Sequence, residues 1–115
     1  MSLRLNRINE AIAHEVSAVL RTYFREEAAY ITVVGALAAP DLRSALVKYS
    51  VLGESDVIRR AQKLFSKQKQ FIKTQMASKL QLRNTPDLRF ERTDAIKKGN
   101  YLIDVLDTIE NEEIL

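Results

Sequence analysis

Apolar residues recur at three- and four-residue steps through the first 24 positions. Leu5, Ile8, Ile12, Val16, Val19, Leu20 and Phe24 form one stripe. That spacing predicts an amphipathic helix over residues 2–24, with Ser2 in position to cap it. From 28 to 37 the chemistry changes to that of a strand, because Tyr30, Ile31, Thr32, Val33 and Val34 are aromatic or β-branched in succession. Ala39-Pro40-Asp41 interrupts it, since proline removes a ladder donor and favours a turn. Over 42–52 the pattern alternates, setting Ala45, Val47, Tyr49 and Val51 against Ser44, Lys48 and Ser50. Such alternation predicts an antiparallel hairpin with one wet face. Gly53 ends the hairpin, and Ser55 stands where it would cap the next helix.

The longest pattern runs over 57–83. Val57, Ile58, Ala61, Leu64, Phe65, Phe71, Ile72, Met76 and Leu80 fall on one side of a helix, while Arg59, Arg60, Lys63, Lys67 and Lys73 fall on the other. Gln68 leaves a gap in the stripe at a core-facing position. Asn84-Thr85-Pro86-Asp87 reads as a loop, because a residue before proline avoids helical geometry. Residues 88–92 alternate as a third short strand. Thr93 or Asp94 then caps a final helix carrying Ile96, Leu102, Ile103, Val105, Leu106 and Ile109, with Gly99 near its start. The expected order is α-β-β-α-β-α, an α+β domain with helices packed on one face of a three-stranded sheet. At 115 residues one domain suffices, expected over 1–110 with a short acidic tail at 111–115.

Net charge changes this picture little at +3, but its distribution changes it more. Eight basic residues stand against Glu54 and Asp56 between positions 54 and 83. Asp104, Asp107, Glu110, Glu112 and Glu113 are unopposed from 103 onward. A chain polarised in this way presents a directed field to a charged partner. Cysteine is absent, which removes disulfides, thiolate metal sites and cysteine nucleophiles together. The first residues are charged and lack the apolar core of a signal peptide, and no run approaches the roughly 20 apolar residues of a membrane span. The expectation is a cytoplasmic chain with no membrane contact.

Candidate catalytic chemistry is sparse. His14-Glu15 opens like a zincin motif, but no second histidine completes it. Ser66-Lys67-Gln68-Lys69 matches S-x-x-K formally, without the companion motifs of a serine lactamase. Gly35, Gly53 and Gly99 stand alone, so no phosphate-cradling loop exists. The chain is expected to be no enzyme and to need no cofactor, metal or small-molecule substrate. Binding remains, through a basic helix face that contacts phosphates or is simply solvated. Phe65, Phe71 and Phe90 belong to buried faces, and Tyr23, Tyr30 and Tyr101 have no evident place.

Four ordered segments narrow the choice. They are Arg4-x-x-Arg7-Ile8 followed by Ile12, Glu15, Val16 and Leu20; Asp41-Leu42-x-x-Ala45-x-Val47-x-x-Ser50-Val51-x-Gly53; Leu80-x-Leu82-Arg83-x-x-Pro86-x-Leu88-x-Phe90 with Asp94; and Gly99 followed by Ile103 and Leu106. In this order the chain resembles the ribosome-binding factor A family of bacterial assembly factors. The resemblance implies a type II KH-like domain without a GxxG loop. It also implies a monomer that binds the free small (30S) subunit and its 16S rRNA during late maturation. Such a factor supports 5′ processing of the precursor and growth in the cold, and does no chemistry itself. On this chain the basic helix face and the arginines of the first helix supply the RNA-binding candidates, Arg4, Arg7, Arg59, Arg60, Lys63, Lys67, Lys69, Lys73, Lys79 and Arg83. Arg83 has a structural alternative, pinning the Pro86 loop to the helix. One departure falls at the family's helix-kink position: Gln68-Lys69-Gln70 replaces Ala-x-Gly, which puts a kink at Gln68 and Gln70 in question. The competing class is a protein-interaction module that docks through the acidic C-terminal helix or an edge strand.

Overall fold

The protein is described here by a computed structural model over residues 3–82 and 84–94. Helix α1 spans Leu3–Tyr23, strands β1 and β2 span Ile31–Ala38 and Ser44–Val51, helix α2 spans Ser55–Leu80, and strand β3 spans Asp87–Arg92. This is the expected α-β-β-α-β order. Ser2, Arg83, the residues of the expected final helix and those of the expected acidic tail lie outside the described residues.

The three strands form one sheet in the order β1-β2-β3. β1 and β2 pair antiparallel, with Ala38 opposite Ala45 and Ile31 opposite Val51, and the register shifts between Val33 and Gly35. β3 pairs parallel to β2, bringing Leu88 beside Ala45 and Phe90 beside Val47. Alternation then sends Ala45, Val47, Tyr49, Leu88 and Phe90 to one face, where both helices pack. From α1 that face receives Ile12, Val16, Val19 and Leu20; from α2 it receives Ala61, Phe65, Ile72 and Met76. Helix α1 is also tied to β1 directly, since the Ala38 N–H donates to Asn9 Oδ1 at 2.7 Å. A hydrogen bond of this kind satisfies a strand-end donor that no other strand covers.

Several local expectations change. Ser55 is the first helical residue and does not cap; Glu54 stands at the cap position in extended backbone without a side-chain cap bond. Asp56 in the first turn still opposes the helix dipole there. Helix α2 continues unbroken through Gln68-Lys69-Gln70, and Gln68 is only half-buried. No enclosed amide at that point needs a partner. Ser50, expected on the wet face, is 1% exposed, and its hydroxyl has no hydrogen-bond partner among the described residues. The β1–β2 turn is held by the Leu42 N–H donating to the Ala39 carbonyl and the Arg43 N–H donating to Asp41 Oδ1. It places Leu42 in left-handed backbone at φ 59°.

Gly53 has a backbone requirement of its own. Its φ is +149°, and a Cβ built there would lie 2.8 Å from the Val57 Cβ. Gly53→Ala is therefore expected to destabilise the fold by more than about 1 kcal/mol, since it adds both strain and a clash. Ser50→Ala should behave oppositely. Removing an unpartnered buried hydroxyl is expected to raise stability by about 1 kcal/mol. Urea unfolding of the two variants beside the parent checks both signs.

Candidate nucleic-acid interface

Helix α2 packs one side on the sheet, so its sequence spacing decides where the remaining side chains point. Arg59, Lys63 and Lys67 lie four residues apart in one exposed line. Gln62, Ser66 and Lys69 turn toward β3 and line a groove with Leu88, Phe90 and Arg92. Arg60, Lys63, Leu64 and Lys67 turn the other way and line a groove with the α1–β1 connection. Lys63 and Lys67 thus belong both to the outward line and to that second groove.

The cations divide by what already holds them. Lys69 and Lys73 both reach Asp87 at the start of β3, at 3.9 and 3.8 Å, and Lys73 has only 21% of its side chain exposed. Arg60 pairs with Asp56 one turn earlier, at 3.9 Å. Each is a long surface pair, worth about 0–1 kcal/mol. Arg4, Arg7, Arg59, Lys63, Lys67 and Lys79 are exposed and have no ion-pair partner among the described residues. Arg4 and Arg7 share a shallow groove with Leu80 and Leu82, which brings the first turns of α1 beside the exit of α2. The structure therefore gathers the α1 arginines at one end of α2 and the Arg59–Lys63–Lys67 line at the other. Lys69 and Lys73 are diverted into tying β3 to the helix. Arg83 lies outside the described residues.

The aromatic residues divide in the same way. Phe65 stacks on Phe90 with ring centroids 4.4 Å apart and meets Tyr49 at 4.4 Å, all in the core layer. Tyr23 packs edge-on against Phe71 at 5.0 Å and donates its hydroxyl to Gln75 Oε1 at 3.3 Å, so it braces α1 on α2. Tyr30 is 55% exposed, and although its backbone carbonyl accepts from the Leu52 N–H, its side chain has no ring or hydrogen-bond partner among the described residues. Residue type alone does not separate these two tyrosines; only the tertiary placement does. Among the described residues no group of acidic, histidine or cysteine side chains could hold a metal, and no helix is long and apolar enough to cross a membrane.

With this geometry in view, the family model described as ribosome-binding factor A matches residues 4–106. The chain belongs to the ribosome-binding factor A family. A relative, ribosome-binding factor A of Macrococcus caseolyticus, is 33% identical over 103 residues, covering 89% of this chain and 90% of that protein. Two solved structures are similar in fold. The crystal structure of ribosome-binding factor A from Thermus thermophilus has a TM-score of 0.66 at 15% identity, over 76% of this chain and 94% of that one. The solution structure of a Thermotoga maritima protein provisionally named ribosome binding factor A has a TM-score of 0.69 at 22% identity, over 79% and 88%. These likenesses carry the KH-like fold of the family, two helices on a three-stranded sheet.

One titratable group at the edge of the β3 groove is perturbed. Burial pushes the Tyr49 hydroxyl above the usual tyrosine value of 10.0, and the Arg92 charge opposes that rise. The folded chain thus holds this proton more tightly than the unfolded chain. Its contribution to stability is full below pH 10.0 and is lost as pH rises through the folded value. Tyr49→Phe is expected to reduce the loss of stability above pH 10.0, measured as urea midpoints on both sides of that pH.

Proposed function

We propose that this chain binds the free small (30S) ribosomal subunit, contacts its 16S rRNA during late maturation, and supports processing of the 5′ end of the precursor. It acts in the cytoplasm as a monomer and performs no chemical step. Membership of the ribosome-binding factor A family supports this reading, as does the name carried by its relatives. The observation that carries it is the line of Arg59, Lys63 and Lys67, exposed and unpaired on a helix whose opposite side is locked to the sheet. Cations free of internal carboxylate partners meet phosphates without first breaking an ion pair, and each contact releases counterions. Arg4, Arg7 and Lys79, also exposed, form a second group of cations at the far end of the helix. Lys69, Lys73 and Arg60 contribute less, because each first gives up a carboxylate. Arg83, outside the described residues, is proposed as a phosphate contact from the sequence alone.

Lys63→Glu with Lys67→Glu is expected to weaken co-sedimentation with free small subunits. The salt dependence of binding should flatten by about two units, one for each lost phosphate contact. Both side chains are exposed, so folding should survive, and circular dichroism checks that. Unchanged co-sedimentation of the folded double variant would overturn the assignment.

A further inference from the structure

The groove between the α1–β1 connection and the flank of α2 has the chemistry of a site rather than a crevice. It holds about 300 Å³, at the small end of ligand clefts. One wall is Tyr30, 55% exposed and without an aromatic partner among the described residues. Leu64 supplies an apolar patch, Lys63 and Lys67 stand on one rim, and Glu26 and Glu27 stand on the other. These two acidic residues distinguish the groove from a plain phosphate track. A duplex backbone laid along it would meet carboxylates as well as lysines. An unpaired nucleotide uses both rims, because a base edge donates from amino and ring N–H groups while its phosphates carry only acceptors.

We propose that this groove receives one unpaired nucleotide of RNA, its base stacked on Tyr30 and its flanking phosphates held by Lys63 and Lys67. The proposal rests on the RNA-binding reading above and deepens it. Glu26 and Glu27 accept from the donor edge of the base. Stacking on an exposed tyrosine is tolerant of sequence, since every base has a π-face, and the carboxylates then favour bases with an exocyclic amino group. A base can enter only when splayed from its helix, so the site selects single-stranded RNA over duplex. Among the cations of α2, Lys63 and Lys67 are the two that line this groove without an internal carboxylate partner.

The test measures affinities of the full chain and its variants for short oligocytidine, oligouridine and an RNA duplex by fluorescence anisotropy. Tyr30→Leu is expected to weaken oligocytidine binding about tenfold and leave duplex binding unchanged, while Tyr30→Phe keeps the parent affinity. Glu26→Gln with Glu27→Gln should narrow the preference for oligocytidine over oligouridine. If Tyr30→Leu binds oligocytidine as the parent does while Lys63→Glu with Lys67→Glu weakens it, the nucleotide site is overturned and the phosphate-binding surface stands. Should the lysine double variant also bind every RNA as the parent does, both readings fail.

Discussion

A parallel pair of strands cannot be joined by a tight turn, and that constraint organises this chain. β3 lies parallel to β2, so the link between them must cross the sheet from one end to the other. Helix α2 is that link. Crossing forces one side of the helix onto the sheet, where Ala61, Phe65, Ile72 and Met76 are buried against Tyr49, Val47 and Leu88. The same requirement forces the opposite side into solvent along most of the helix. Cations spaced at four-residue steps on that side are held in a row by the core beneath them. A line of charge on one side of the helix is thus a by-product of closing the sheet.

Helix α1 completes the layer without crossing anything. Its stripe covers β1, Asn9 takes up the Ala38 N–H, and Tyr23 and Phe24 meet Phe71 edge-on. These contacts fix the two helices relative to each other as well as to the sheet. They also place the α1–β1 connection beside the first half of α2, which is why Glu26, Glu27 and Tyr30 come to face Lys63 and Lys67. Residues more than thirty positions apart become one groove through packing alone.

Much of the fold could be read before any coordinates. The stripes of both helices, the alternation of β2 and the turn at Pro40 are local patterns, and local patterns survive tertiary context when they are long and regular. Strand order and the parallel setting of β3 are not local, and six alternating residues look the same in either direction. The cap at Glu54 rather than Ser55 turns on which residue first takes helical backbone, and sequence spacing cannot show it. The candidate site was legible as a set of charges but not as a partition. Lys69 and Lys73 read like Lys63 and Lys67 until Asp87, eighteen and fourteen residues on, is seen to pair with both of them. Tyr23 and Tyr30 likewise differ only by what each one touches.

Asp87 occupies the place a phosphate would take between two lysines. It is a tethered anion, present at high effective concentration, and any polyanion reaching for Lys69 and Lys73 competes with it. Displacing it loosens the first residue of β3 from α2. By thermodynamic reciprocity, whatever β3 docking subtracts from binding at these lysines, binding subtracts equally from β3 docking. For as long as both pairs stand, Lys69 and Lys73 serve the start of β3 and are withheld from any other anion.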